Sequence, residues 1–162
     1  EAIFRTHGDE LYRYLVRQTG DPQLAQDAVQ ETFVRLQERP PRSEGAVKRW
    51  LFRTGLNVIR DVHRIDSNRQ RILEAHPDRV PRPSRSVEPD RQVERREEVA
   101  RLRRALDELR DKERTALLMR EAGFKHREIA DELETTTATI GTLIARSLEK
   151  LEAAMEAAGG EA

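Results

Sequence analysis

Apolar residues recur along the chain three or four positions apart, the period of a helix, and stretches of apolar and polar alternation are absent. Phe4, Leu11 and Leu15 mark a first amphipathic helix that should stop near Gly20. Asp21 and Pro22 start a second, because an aspartate caps orphan amides and proline fits the first helical turn. Ala25, Ala28, Val29, Phe33 and Leu36 then form one stripe and leave Asp27, Gln30, Glu31 and Arg35 on a neighbouring face. Pro40 and Pro41 end that helix. Ser43 is placed to cap a third, whose inner face is Val47, Trp50, Leu51, Val58, Ile59 and Val62.

Four of the seven prolines, Pro77, Pro81, Pro83 and Pro89, then fall in one short stretch with Ser84 and Ser86 and no aromatic residue. That composition resists helix and core alike and predicts an extended connector. Beyond it the helical period returns at Val99, Leu102, Leu106 and Leu109. Asp111 marks a break into a helix ending at Gly123; a helix from Lys125 to Leu133 follows, with a polar break at Glu134 and Thr135. A last helix carries Ile140, Ile144, Leu148 and Leu151 on one side, which is helix-turn-helix spacing. The fold class is therefore all-α, with two small helical domains joined by a linker.

Composition narrows the function. The 162 residues are 36% hydrophobic and 37% charged, lean for one large core but adequate for small bundles with charged outer faces. Zero cysteines exclude disulfides and thiolate metal sites, and the four histidines, His7, His63, His76 and His126, are scattered, so no metal or cofactor is expected. No apolar run approaches the roughly 20 residues that cross a bilayer, and no basic-then-apolar leader opens the sequence, so a soluble cytoplasmic protein without membrane insertion is expected.

Formal net charge is zero, yet the charges are unevenly placed. Residues 1–38 hold four basic and seven acidic side chains, whereas residues 39–71 hold nine basic and three acidic. Residues 101–162 hold eleven basic and thirteen acidic, so the carboxyl part offers phosphates no general attraction.

Three constellations could carry function. Arg49, Arg53, Asn57, Arg60 and Arg64 stand at intervals of four, four, three and four, which makes one stripe on the third helix. Guanidinium groups around an amide suit a phosphate backbone and a base edge, although a solvated, salt-bridged face has the same spacing. Asp61 is the one acid close by in sequence, which favours the nucleic-acid reading. Trp50 could stack on an unpaired base, but its register places it on or beside the apolar face. The outward residues of the last helix, Thr139, Thr142, Arg146 and Glu149, could enter a major groove, or the helical hairpin could serve protein contact. The polar face of the second helix could be plain solvent-exposed surface. Glycine-rich phosphate loops, histidine pairs in helical reach and nucleophile elbows are all missing from the sequence, so no enzymatic activity is expected.

Three segments in register resemble a known family. The stretch "DPQLAQDAVQETFVRL" looks like the polymerase-binding helix of sigma-70-type factors, "VKRWLFRTGLNVIRDVHR" like their minus-ten-reading helix, and "LDELRDKERTALLMREAGFKHREIADEL" like their minus-thirty-five domain. With no substantial domain between the halves, the chain is similar to the compact extracytoplasmic-function (ECF) group. The resemblance implies sigma region 2, a three-helix bundle, over residues 1–65, a linker over 66–90 that threads toward the polymerase cleft, and a region 4 helix-turn-helix over 91–162. It implies that Asp27, Gln30, Glu31, Phe33 and Arg35 grip the β′ clamp helices of core RNA polymerase, and that region 4 meets the β flap. Arg49, Arg53, Asn57, Arg60 and Arg64 would face the minus-ten element, and the loop 40–46 would capture a flipped-out base. Arg120, Lys125, Arg127, Thr139, Thr142 and Arg146 would meet the minus-thirty-five element.

One departure stands out in the last helix, "TTTATIGTLIARSLEKL": Gly141, Leu143 and Leu148 replace basic residues common in the family, and Ala145 is too small for much contact, which implies weak or atypical minus-thirty-five reading. The implied function is promoter-specific transcription initiation, with core RNA polymerase, promoter DNA and an anti-sigma factor as partners. Two rivals remain open: a helix-turn-helix regulator that acts without polymerase, and a helical hydrolase built from clustered carboxylates.

Overall fold

The computed structural model describes residues 1–74 and 93–160, and these hold seven α-helices, one short 3-10 turn and no strand. Helix α1 (Ala2–Thr19) ends at Gly20, whose φ of 68° lies in the left-handed region that glycine occupies without penalty. Helix α2 (Pro22–Glu38) starts as expected: Asp21 Oδ1 accepts the Leu24 amide at 3.0 Å and Pro22 opens the first turn. Ser43 departs from expectation. It precedes a 3-10 turn, Glu44–Ala46, its side chain caps nothing, and α3 (Val47–Glu74) grows directly out of that turn, whose backbone already supplies the helical geometry.

Helix α3 also outruns its expected end. Glycine and proline are absent from the sequence between Gly55 and Pro77, so nothing interrupts the helix before Glu74, and residues 66–74 of the expected connector are helical. The prolines Pro77, Pro81, Pro83 and Pro89 lie outside the described residues.

Helices α1, α2 and α3 pack as a three-helix bundle around Leu11, Leu15, Ala28, Val29, Leu51 and Ile59. Gly55 permits the close crossing of α3 on α1, since a Cβ there would stand 3.2 Å from the Leu11 and Leu15 methyls. The second half consists of α4 (Val93–Glu108), α5 (Asp111–Glu121), α6 (His126–Glu132) and α7 (Thr137–Gly159). Glu113 and Glu128 each reach back to the backbone amide before their helix, at 3.0 and 2.7 Å, which satisfies orphan donors at both starts. Glu134, with φ 54°, makes the tight turn between α6 and α7, and Ile129, Ile140 and Ile144 fill the angle behind it.

The halves pack against each other. Phe52 of α3 lies between Tyr14, at 4.7 Å, and Phe124 of the second half, at 5.0 Å between ring centroids, so one apolar core crosses the boundary. Each half also caps a helix of the other. Arg103 of α4 donates to the carbonyls of Arg17 (2.6 Å) and Gln18 (3.4 Å) at the end of α1, and Lys48 of α3 donates to the Ala122 carbonyl at the end of α5 (2.6 Å). Cations at helix carboxyl ends meet the negative pole of the macrodipole and orphan carbonyls together.

Candidate polymerase and promoter interfaces

The polar face of α2 is presented to solvent by the burial of its opposite side. Ala25, Ala28, Val29 and Thr32 are buried, and Thr32 satisfies its hydroxyl on the Ala28 carbonyl at 2.6 Å. Asp27, Gln30 and Glu31 are consequently exposed, while Phe33 and Arg35 are half-buried. Arg35 is held by Glu31 at 2.8 Å, and Phe33 meets the Phe4 ring edge-on at 4.9 Å. Beside these charges lies apolar surface that the fold leaves uncovered, with Phe4 51%, Val34 50% and Tyr12 37% exposed. A patch of apolar rings bordered by acids suits a protein partner with a basic, amphipathic face.

The stripe on α3 is real but not uniform. Asn57, Arg60 and Arg64 are exposed, and Arg64 touches Asp61 at 3.5 Å. Arg53 is exposed as well and Arg49 is half-buried, and both meet acids from the other half of the chain. Arg53 binds both carboxylate oxygens of Glu132, with Nε at 3.0 and 2.9 Å and Nη2 at 2.8 Å. Arg49 lies 3.6 Å from Asp131 and 3.7 Å from Glu132. The sequence argument that few carboxylates are near the stripe therefore fails for these two, since α6 supplies acids about eighty positions away. The hydrogen bond that Arg53 donates to Glu132 raises the Arg53 pKa above its ordinary value. Trp50 is half-buried against the core, as its register predicts.

At the start of α3, a cavity of about 680 Å³ opens beside the loop 40–46, bordered by Phe4, Phe33, Pro40, Arg42, Ser43 and Glu44. Its size and mixed apolar and polar rim would accept a planar base.

In the second half, α5, α6 and α7 place Arg120, Lys125, Arg127, Thr139, Thr142 and Arg146 on exposed surface. Thr136 caps α7 by accepting the Thr139 amide at 3.2 Å, and its hydroxyl shares a proton with that of Thr139 at 2.8 Å. The amino end of α7 thus projects hydroxyls and free amides, with Arg146 two turns further along.

Comparison with known proteins gives this geometry its family. Residues 3–69 match the model of Sigma-70 region 2, and residues 100–151 match that of Sigma-70, region 4. The chain belongs to the sigma-70 family. It is 30% identical over 154 residues to the ECF RNA polymerase sigma factor SigE of Mycolicibacterium smegmatis, covering 93% of this chain and 59% of that protein. It is 28% identical to the RNA polymerase sigma factor NccH of Alcaligenes xylosoxydans xylosoxydans, covering 95% of this chain and 85% of NccH. Among solved structures, CnrH in complex with the cytosolic domain of CnrY superposes with a TM-score of 0.65 at 26% identity, over 96% of this chain and 86% of that one. RpoE in complex with the anti-sigma factor NepR from Bartonella quintana shares the fold, with a TM-score of 0.64 at 18% identity over 94% of both chains. The chain thus spans less than two thirds of SigE, the first of these relatives.

Within this sigma-70 family chain, sequence reasoning missed the residues that join region 2 to region 4. Gln18 is buried and donates to Tyr14 at 3.2 Å and Thr115 at 3.3 Å, while Arg114 donates to it at 3.2 Å. Burial pushes the Tyr14 phenol up to about 12, so it stays neutral throughout the physiological range. Asp131 and Glu132 belong to an acidic run with Glu134, a sequence signal that the carboxyl end of α6 meets cations.

Proposed function

We propose that this chain is a promoter-specificity subunit that docks on core RNA polymerase and directs it to minus-ten and minus-thirty-five elements. The observation that carries the reading is the face of α2, where Asp27, Gln30 and Glu31 stand exposed beside uncovered apolar rings. On that face Asp27, Gln30, Glu31, Phe33 and Arg35 engage the β′ clamp helices, while region 4 engages the β flap. Region 2 occupies residues 1–65 and region 4 residues 91–162, with 66–90 between them.

Arg49, Arg53, Asn57, Arg60 and Arg64 hold the minus-ten element, and the cavity beside the loop 40–46 receives an extruded base. Extrusion costs a few kcal/mol per nucleotide, which a pocket of that size offsets by contact. Arg120, Lys125, Arg127, Thr139, Thr142 and Arg146 meet the minus-thirty-five element. The chain performs no catalysis and works in the cytoplasm, where polymerase supplies the chemistry. RpoE and CnrH are seen in complexes with an anti-sigma factor and with CnrY respectively, and an anti-sigma factor is the further partner proposed for this chain.

Reversing charge at Asp27 and Glu31 together tests the docking face. Asp27→Lys with Glu31→Lys should weaken core-polymerase binding in a titration at unchanged helicity, because neither side chain touches the apolar core. Unaltered affinity would remove the α2 face from the account.

A further inference from the structure

We propose that Arg71, with Ser67 beside it in the last turns of α3, holds the phosphate backbone of the spacer duplex just upstream of the minus-ten element. The inference rests on the reading above that the α3 stripe faces promoter DNA, and it adds residues past the expected end of region 2.

The helix itself carries it. Because α3 runs unbroken to Glu74, its cationic stripe does not stop at Arg64. The next positions on the same face are Ser67 and Arg71, at intervals of three and four, so Arg60, Arg64, Ser67 and Arg71 form one line. Asp61 and Asp66 stand at the edges of that line. Between residues 60 and 72 four arginines face two aspartates, so this end of the helix keeps a positive field.

Residues 63–72 are exposed on every side, so this part of α3 projects past the core of the three-helix bundle. Arg64 touches Asp61 at 3.5 Å, whereas Arg71 takes part in no ion pair among the described residues. A guanidinium uncommitted to any carboxylate there, with a hydroxyl one turn before it, is the chemistry that grips phosphate oxygens.

The two ends of α3 fix its direction along the promoter. The loop 40–46 and its cavity, read above as the seat of an extruded base, stand at the amino end. The carboxyl end leads in sequence to region 4, and hence to the minus-thirty-five element. Upstream duplex therefore meets the carboxyl end, where Arg71, about 10 Å past Arg64, reaches about three base pairs further. Phosphates carry no sequence information, so the contact sets position and not base preference.

Holoenzyme assembled from core polymerase and the full chain is titrated with two fork templates. One begins at the first base pair of the minus-ten element, and the other extends upstream by a further duplex turn of spacer. Arg71→Ala places a strong helix former at an exposed site, so the helix survives it. On the extended template the variant should bind more weakly, with a log-log salt slope lower by about one. Between about 50 and 200 mM salt, the advantage of wild type should accordingly shrink about 3.5-fold. On the short template the two proteins should bind alike. Arg71→Lys should restore most of the slope. Arg69→Ala removes equal charge roughly 160° around the helix and should lower the slope by less than about half as much. A slope unchanged by Arg71→Ala on the extended template would overturn the proposal. An equal loss on both templates would also overturn it, because the Arg71 partner would then be polymerase or the minus-ten element itself. So would an equal loss from Arg69→Ala, which would mean a general field. Wild-type holoenzyme that binds neither template would instead overturn the promoter reading beneath the proposal.

Discussion

Glu113 offers a quantitative handle on the packing of α7 against α5. Its carboxylate lies in the first turn of α5, is 8% exposed, accepts the Arg110 amide at 3.0 Å and takes the Lys150 ammonium of α7 at 2.5 Å. Lys150 first, and the Arg110 amide second, hold its carboxyl below the ordinary glutamate value of 4.5, against the upward push of burial. Glu113→Gln keeps the shape and, through its one carbonyl oxygen, the amide contact, but it turns an NH2 donor toward Lys150 and so loses that hydrogen bond together with the charge. A charge-assisted hydrogen bond contributes about 1.5–3 kcal/mol, and solvent screening of the half-exposed Lys150 brings the loss down to about 1 kcal/mol. For a chain of this size that corresponds to about 2–4 °C in Tm, and Glu113→Ala, which also orphans the Arg110 amide, should cost about 1 kcal/mol more.

The sign of the pH dependence follows. A carboxyl whose folded value is lowered contributes stability above the unfolded value, 4.5, and loses it as pH falls through the folded one. Thermal unfolding followed by circular dichroism at pH 7 should separate wild type from Glu113→Gln, and the two curves should converge as pH drops well below 4.5. Equal stability at pH 7, or a gap that persists unchanged into acid, would refute the ion pair as a stabilising contact.

Asn57→Ala should reduce open-complex formation more than polymerase binding, by about 1–3 kcal/mol if a base contact is lost, as read by permanganate reactivity of the minus-ten thymines. Gly20→Ala should destabilise the chain by at least about 1–2 kcal/mol in urea titration, since φ is 68° and the new Cβ would stand 2.6 Å from Arg103 Cδ at the end of α1. Region 4 has eleven basic and thirteen acidic residues over 101–162, so its hold on minus-thirty-five duplex should rest on Arg120, Lys125, Arg127 and Arg146. At roughly 0.9 per neutralised phosphate, its log-log salt slope should be only about two to four, and Arg146→Ala should lower it by about one.

The helices were legible because capping chemistry and apolar period agreed. Asp21 with Pro22, Gly20, and the stripe of Ala25, Ala28 and Val29 each stand where the pattern places them. The end of α3 was less legible, because residues 66–74 are polar enough for a linker yet contain nothing that stops a helix. Exposure of Asp27, Gln30 and Glu31 followed from the period alone, whereas the partners of Arg49 and Arg53 did not. Those partners arise from contact between regions 2 and 4, and no local spacing encodes that Glu132 meets Arg53 or that Arg103 caps α1. Buried polar residues such as Gln18 and Thr115 were illegible for the same reason, since their hydrogen bonds span nearly a hundred positions.

The central claim is that the chain confers promoter opening on core RNA polymerase. Core polymerase, with and without the chain, on a template carrying both promoter elements should yield permanganate-reactive thymines at the minus-ten region only when chain and core are both present. The Asp27→Lys, Glu31→Lys variant should abolish that reactivity at concentrations where wild type saturates. Contradiction would be a chain that fails to bind core polymerase yet binds the duplex promoter tightly alone and leaves it unmelted, which is the behaviour of a helix-turn-helix regulator.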